Sequence, residues 1–205
     1  MDLVFLPATD PGDDAYGTIP KELAGYPDAS VRQVCYPTLV WYNDVVRREA
    51  IAQIRGWGVV SAVLVGFSKS GLGAWNIARA TPDIVSATII FDAPVARQQL
   101  PPWETDAFYA NDTEWRTDLP ANTIQSFTSA MPANHQLVLI AGANFHEEMS
   151  TLSQALDEAG LAHAFLRRPE MTHHWNSGWI EEGLNTLLEQ NPAPCPESRT
   201  TRQWK

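Results

Sequence analysis

The chain has 205 residues, of which 44% are hydrophobic and 19% are charged, as is usual for a single globular domain. Its net charge of −10 argues against a nucleic acid or an anionic membrane as partner, because both attract clustered Lys and Arg. The first residues lack the basic segment of a signal peptide, and no apolar run approaches about 18 residues. With only Cys35 and Cys195, a disulfide is not expected, and we predict a cytoplasmic protein.

Six short apolar runs predict β-strands, at 3–6, 31–35, 59–65, 86–91, 136–141 and 163–167. Several are apolar at consecutive positions, which is typical of strands buried on both faces. Helical patterns lie between them, at 19–25, 44–55, 70–80, 148–159 and 177–190. This alternation predicts an α/β fold, namely a doubly wound, mainly parallel sheet of about six strands with helices on both faces.

We expect one domain over residues 1–190 and a flexible, Pro-rich tail over 191–205. Residues 97–132 separate two predicted strands by more chain than one crossover helix needs. This insertion contains five aromatic residues, namely Trp103, Phe108, Tyr109, Trp115 and Phe127. Its length predicts a lid or a binding element, although two helices that complete the core explain it equally well.

A corner of small residues joins the third predicted strand to the next helix. Its sequence, Gly66-Phe67-Ser68-Lys69-Ser70, resembles the G-x-S-x-G turn that exposes a nucleophilic serine. That turn needs small residues two positions before and after the nucleophile. Ser68 has Gly66 and Ser70 there, whereas Ser70 would have Leu72, which is too large. We therefore predict Ser68 as the nucleophile; a phosphate-binding loop would need a Gly-Lys pair that this corner lacks.

A serine hydroxyl needs a base to become a strong nucleophile. After the last predicted strand the sequence reads RRPEMTHHWNSGW, which places His173 and His174 side by side. We take His173 as the base, with His174 as the alternative. The segment HEEM at 146–149 lacks the second histidine of the zinc motif H-E-x-x-H. We therefore expect neither a metal ion nor an organic cofactor.

Three segments carry a resemblance to a known family: GFSKSG at 66–71, FDAP at 91–94 and HHWNSGW at 173–179. With them the chain resembles the α/β-hydrolase superfamily and, within it, the small esterases of the esterase D and feruloyl-esterase branch. The resemblance favours His173, because a similar H-x-W sequence holds the catalytic histidine of that branch. It also implies a minimal form of the fold that lacks the first two strands.

The resemblance leaves the acid that orients the histidine undecided. It places this acid after the penultimate strand, where the loop AGANFHEEMS contains no Asp. Asn144 stands near the usual place, and Glu147 and Glu148 follow it. Asp92, at the end of the preceding strand, is the other position at which superfamily members carry the acid. We take Asp92 first and Glu147 second.

The fold further implies an oxyanion hole made by the backbone N–H of Lys69 and by that of Ala8 or Thr9 in the loop after the first strand. Together these features predict a serine hydrolase of a small-molecule carboxylic ester or thioester, acting through an acyl-enzyme on Ser68. The aromatic insertion would shape an acyl or aryl pocket. Two alternatives stay open: a lactone or C–C bond hydrolase of the same fold, and a non-catalytic protein that binds a ligand. A carboxylate that reaches the ring of His173 would argue against the non-catalytic protein.

Overall fold

The computed structural model describes residues 1–13 and 17–190, so the predicted tail with Cys195 lies outside the described residues. The strands are β1 (Asp2–Leu6), β2 (Ser30–Gln33), β3 (Ala62–Phe67), β4 (Val85–Phe91), β5 (Gln136–Ala141) and β6 (Ala164–Arg167). They form one sheet in the order β2-β1-β3-β4-β5-β6, with every neighbouring pair parallel. The predicted doubly wound parallel sheet is confirmed.

Helices cover both faces of this sheet. They are α1 (Asp44–Gly56), α2 (Lys69–Ala80), α3 (Asp112–Asp118), α4 (Ile124–Ala130), α5 (His146–Glu158) and α6 (Trp179–Gln190). Helices α1, α2, α4 and α5 pack on one face, and α6 packs on the other with a short 3-10 turn at Lys21–Gly25. None of the helices in the described part of the chain combines the length and the apolar character needed to cross a membrane.

Burial on both faces explains why the strands carry apolar residues at consecutive positions. In β1, Val4 and Leu6 pack with α1 and α2, whereas Leu3 and Phe5 pack with α6. All four are at most 1% exposed. Because successive side chains of a strand point to opposite faces, a sheet covered by helices on both sides needs no polar alternation.

The observed bounds of β3 differ from the predicted ones, and the difference positions the serine corner. The strand begins at Ala62 rather than 59, since Val60 is 79% exposed. It continues to Phe67, because Gly66 and Phe67 pair with Ile90 and Phe91 of β4. The residues that follow these two strands, Ser68 and Asp92, therefore leave the sheet at neighbouring positions.

The segment 97–132 contributes to the hydrophobic core. Trp115 and Phe127 are fully buried, and Phe127 stacks on Trp75 of α2 with ring centroids 3.8 Å apart. Trp115 meets Trp41 edge to face. Trp103, in contrast, is 37% exposed. Most of the aromatic residues of this segment thus complete the packing on α2, and a lid role for the segment stays a prediction.

Gly66 is required by the close approach of two backbones at the serine corner. A Cβ at this position would lie 2.4 Å from the carbonyl oxygen of Ser70. We expect Gly66→Ala to lower the free energy of unfolding by about 3 kcal/mol, as measured by urea denaturation. Gly56→Ala is the matched control, because a Cβ at position 56 would meet no atom within 4 Å. Equal stability of the two variants would contradict the tight turn.

Candidate active site

Ser68 occupies the sharp turn between β3 and α2. Its backbone angles, φ 55° and ψ −123°, lie in a region that L residues rarely adopt. Such a conformation costs roughly 1–3 kcal/mol and persists where the surrounding structure imposes it. The Ser68 N–H donates to the carbonyl of Phe91 (2.9 Å), and the Ser68 carbonyl accepts from the N–H of Gly71 (3.0 Å). These bonds hold the strained turn, from which Ser68 keeps a partly exposed side chain.

Ser70, the other serine of the corner, has a structural role. It is fully buried. Its Oγ accepts from the N–H of Phe67 (2.9 Å) and donates to the carbonyl of the same residue (3.0 Å). The hydroxyl of Ser70 therefore stabilises the turn through its two hydrogen bonds to Phe67. This agrees with the choice of Ser68, which was made from the size of its flanking residues.

His173 and Asp92, which are 81 positions apart in the sequence, form a hydrogen bond. The Nδ1–H of His173 donates to Oδ2 of Asp92 at 2.8 Å. An ionised carboxylate can only accept, so this bond fixes the proton on Nδ1 and leaves Nε2 with a lone pair. Asp92 is 0% exposed. A buried carboxylate on Nδ1 is the arrangement that orients an imidazole as a general base.

The loop after β5 holds this carboxylate with its backbone. Oδ1 of Asp92 accepts from the N–H groups of Gly142 and Phe145, both at 3.0 Å. A Cβ at Gly142 would lie 2.6 Å from the ring of Trp179 and 3.1 Å from Cγ of Asp92. The loop can therefore approach Asp92 closely only with glycine at 142. In this protein the loop supplies donors for the carboxylate of Asp92, which directly follows β4.

The other residues that the sequence suggests for the role of the acid do not contact His173 in the same way as Asp92. Glu147 is exposed in the first turn of α5, and Asn144 is exposed in the loop before it. Glu148 pairs with Arg97, with 2.9 Å between Oε1 and Nη2. The carboxylate that the structure brings to Nδ1 of His173 is that of Asp92.

Aromatic rings pack on the imidazole of His173. The ring of Phe67 lies 4.7 Å from it and that of Phe145 lies 5.5 Å from it, centroid to centroid. His174 has a different position, because its Nδ1 accepts from the N–H of Asn176 (3.1 Å) at the start of a 3-10 turn. The two adjacent histidines are thus distinguished by their partners, with the buried carboxylate on His173.

The residues predicted for the oxyanion hole lie at the same edge of the sheet. Lys69 is the first residue of α2, where a backbone N–H has no partner within the helix. Leu6, the last residue of β1, pairs with Gly66, and Ala8 and Ser68 each follow two positions further along the chain. Thr9 follows directly. Their roles as donors stay predictions; among the described residues, no group of three or more His, Cys, Asp or Glu is arranged to hold a metal ion.

The side chain of Lys69 connects the serine corner to the segment 97–132. Its Nζ donates to the carbonyl of Trp103 (3.2 Å) and lies 5.3 Å from the ring centre of Trp41. Burial lowers the pKa of Lys69, although the carboxylates of Glu104 and Asp10 act in the opposite direction. This contact was not predictable from the sequence, since nothing in the pattern of residues pairs position 69 with position 103.

Neither family models nor curated proteins match this sequence. Solved structures do match its fold. Dipeptidyl peptidase 4 of Porphyromonas gingivalis has a TM-score of 0.67 and 11% identity over 91% of this chain. MPT51 (FbpC1) of Mycobacterium tuberculosis has a TM-score of 0.64 and 13% identity over 89% of this chain and 86% of its own. The chain has the α/β-hydrolase fold.

A candidate dipeptidyl aminopeptidase IV from Bacteroides ovatus also shares the α/β-hydrolase fold, with a TM-score of 0.67 and 10% identity over 93% of this chain. The chain spans 31% of the length of each of the two dipeptidyl peptidase chains. At such identities the likeness is one of fold. It confirms the α/β-hydrolase fold predicted from the sequence, while the assignment to the small-esterase branch stays a prediction.

Proposed function

We propose that the protein is a serine hydrolase that cleaves carboxylic esters or thioesters through an acyl-enzyme on Ser68. The observation that carries this proposal is the 2.8 Å bond between His173 and the buried Asp92, at the sheet edge where Ser68 occupies its strained turn. A carboxylate on the ring of His173 also argues against the alternative of a non-catalytic binding protein.

The proposed reaction begins with proton transfer from the hydroxyl of Ser68 to Nε2 of His173, as its oxygen attacks the ester carbonyl. The N–H of Lys69 and that of Ala8 or Thr9 stabilise the negative oxygen of the tetrahedral intermediate. His173 then returns the proton to the departing alcohol or thiol. Water repeats these steps on the acyl-enzyme, releases the acid and restores Ser68.

The ester preference rests on the resemblance of three segments to small esterases. Two of the structural neighbours are named as dipeptidyl peptidases, and a serine, a histidine and an acid can cleave amides as well as esters. This chain spans 31% of each of those peptidase chains, however. No feature of its described residues favours a peptide substrate, and we therefore propose ester or thioester hydrolysis.

A fluorophosphonate probe tests the proposal without knowledge of the substrate, because it reacts with a serine that a base has activated. We expect the wild type to be labelled and His173→Ala to lose the labelling, measured by intact-protein mass spectrometry. His174→Asn is the matched control, since asparagine offers another acceptor to the N–H of Asn176. A folded wild type that stays unlabelled would overturn the proposal.

A further inference from the structure

Trp103 has an unusual combination of exposure and fixed position. It is 37% exposed, and it is the one aromatic residue among the exposed large hydrophobic residues of the described part of the chain. Its carbonyl accepts from Nε1–H of Trp41 (3.1 Å) and from Nζ of Lys69 (3.2 Å). The guanidinium of Arg97 lies 5.0 Å from the centre of its ring. The indole is thus held in place at the surface, although full burial of its ring would stabilise the fold further.

Contacts of Trp103 lead toward both members of the proposed reacting pair. On one side its backbone is bound by Lys69, the residue that directly follows Ser68. On the other side its ring meets the ring of Phe145 edge to face, with centroids 5.8 Å apart. Phe145 in turn contacts the imidazole of His173 at 5.5 Å. Aromatic rings thus run from the imidazole of His173 through Phe145 to Trp103.

The chemistry of the imidazole indicates which part of the substrate meets these rings. His173 must protonate the leaving group, so the departing oxygen or sulfur lies within hydrogen-bonding distance of Nε2. Phe67, which also contacts the imidazole, is 0% exposed and cannot touch a substrate. Phe145 is 8% exposed, and its ring leads from the imidazole to the more exposed ring of Trp103.

We propose that Trp103 and Phe145 form the leaving-group subsite, and that it selects esters of ring-bearing, apolar alcohols or thiols. This inference rests on the proposed serine-hydrolase function. Aromatic rings pack edge to face or offset at centroid distances of about 4.5–7 Å, a geometry that an added ring can adopt against the two rings present. Trp103 is then a specificity-determining residue outside the reacting groups.

Three esters test the subsite: ethyl acetate, benzyl acetate with its ring on the leaving group, and ethyl phenylacetate with its ring on the acyl group. Both acetates form the same acetyl-enzyme, so the ratio of their kcat/KM values reports acylation alone. We expect Trp103→Ala to lower the ratio of benzyl acetate to ethyl acetate about ten-fold, which corresponds to about 1.4 kcal/mol. The ratio of ethyl phenylacetate to ethyl acetate should stay at its wild-type value.

Two further variants make the result specific. Trp103→Leu keeps an apolar side chain but removes the ring, so it should also lower the ratio, and it replaces the alanine variant if that variant does not fold. Trp57→Ala removes a half-buried indole at the end of α1 and should leave the ratio unchanged. A wild-type ratio in Trp103→Ala, or a change confined to ethyl phenylacetate, would overturn the subsite. A wild type that neither reacts with the fluorophosphonate nor hydrolyses any of the three esters would overturn the proposed function and the subsite with it.

Discussion

Alanine at position 68 is expected to lower kcat for ester hydrolysis about a million-fold while the protein keeps its fold. The substitution removes the oxygen that would attack the carbonyl, and no neighbouring group replaces it at the turn. Because alanine retains the Cβ of serine, the backbone strain at φ 55° is unchanged. We therefore expect the same thermal unfolding midpoint as in the wild type. Steady-state hydrolysis of benzyl acetate and calorimetry measure the two effects.

Ser70→Ala is the matched control for this variant. The hydroxyl of Ser70 binds the backbone of Phe67 inside the corner, so its loss should lower the free energy of unfolding by about 1–3 kcal/mol. Activity should be retained where the variant is folded. The reverse result, with Ser68→Ala active and folded Ser70→Ala inactive, would show that the nucleophile is assigned to the wrong serine.

Asparagine at position 92 is expected to lower kcat about 10⁴-fold. In Asp92→Asn the amide oxygen can still accept from the N–H groups of Gly142 and Phe145, which leaves its NH₂ group facing His173. A donor at that place requires Nδ1 to accept, so the ring proton moves to Nε2. His173 then has no lone pair directed at Ser68. The rate of fluorophosphonate labelling and kcat should fall together.

Glu147→Gln provides the control for Asp92→Asn, because it removes the second acid suggested by the sequence. The side chain of Glu147 is exposed, and we expect kcat within about two-fold of the wild type. Circular dichroism of both variants establishes that they are folded. Loss of activity in Glu147→Gln, together with an active Asp92→Asn, would transfer the role of the acid to the loop after β5.

The fold was predictable because each of its determinants is local. The four central strands, β1, β3, β4 and β5, are buried on both faces, so the sequence shows apolar runs without alternation there and helical patterns between them. The choice of Ser68 as candidate nucleophile is equally local, since the turn requires small residues only two positions away. The clash that a Cβ at Gly66 would make with Ser70 is the physical reason for this size requirement.

The candidate acid and the proposed aromatic subsite depend on contacts that sequence patterns do not record. The bond between Asp92 and His173 joins residues 81 positions apart, and its supporting donors are backbone N–H groups, which every residue except proline carries. In the segment 97–132 the sequence shows several large rings without distinguishing their exposure. Phe127 is fully buried, because its ring stacks on Trp75 of α2. Trp103 is 37% exposed, and its carbonyl accepts a hydrogen bond from Lys69.

The anchoring of Asp92 by backbone donors has a consequence for how this protein can diverge. The loop after β5 needs glycine at 142, but the exposed side chains of Ala143 and Asn144 make no contribution to holding the acid. Both residues line a surface cavity of about 250 Å³ that also includes Phe145. Mutations at these two positions can therefore reshape this cavity beside Phe145 while Asp92 keeps its backbone donors.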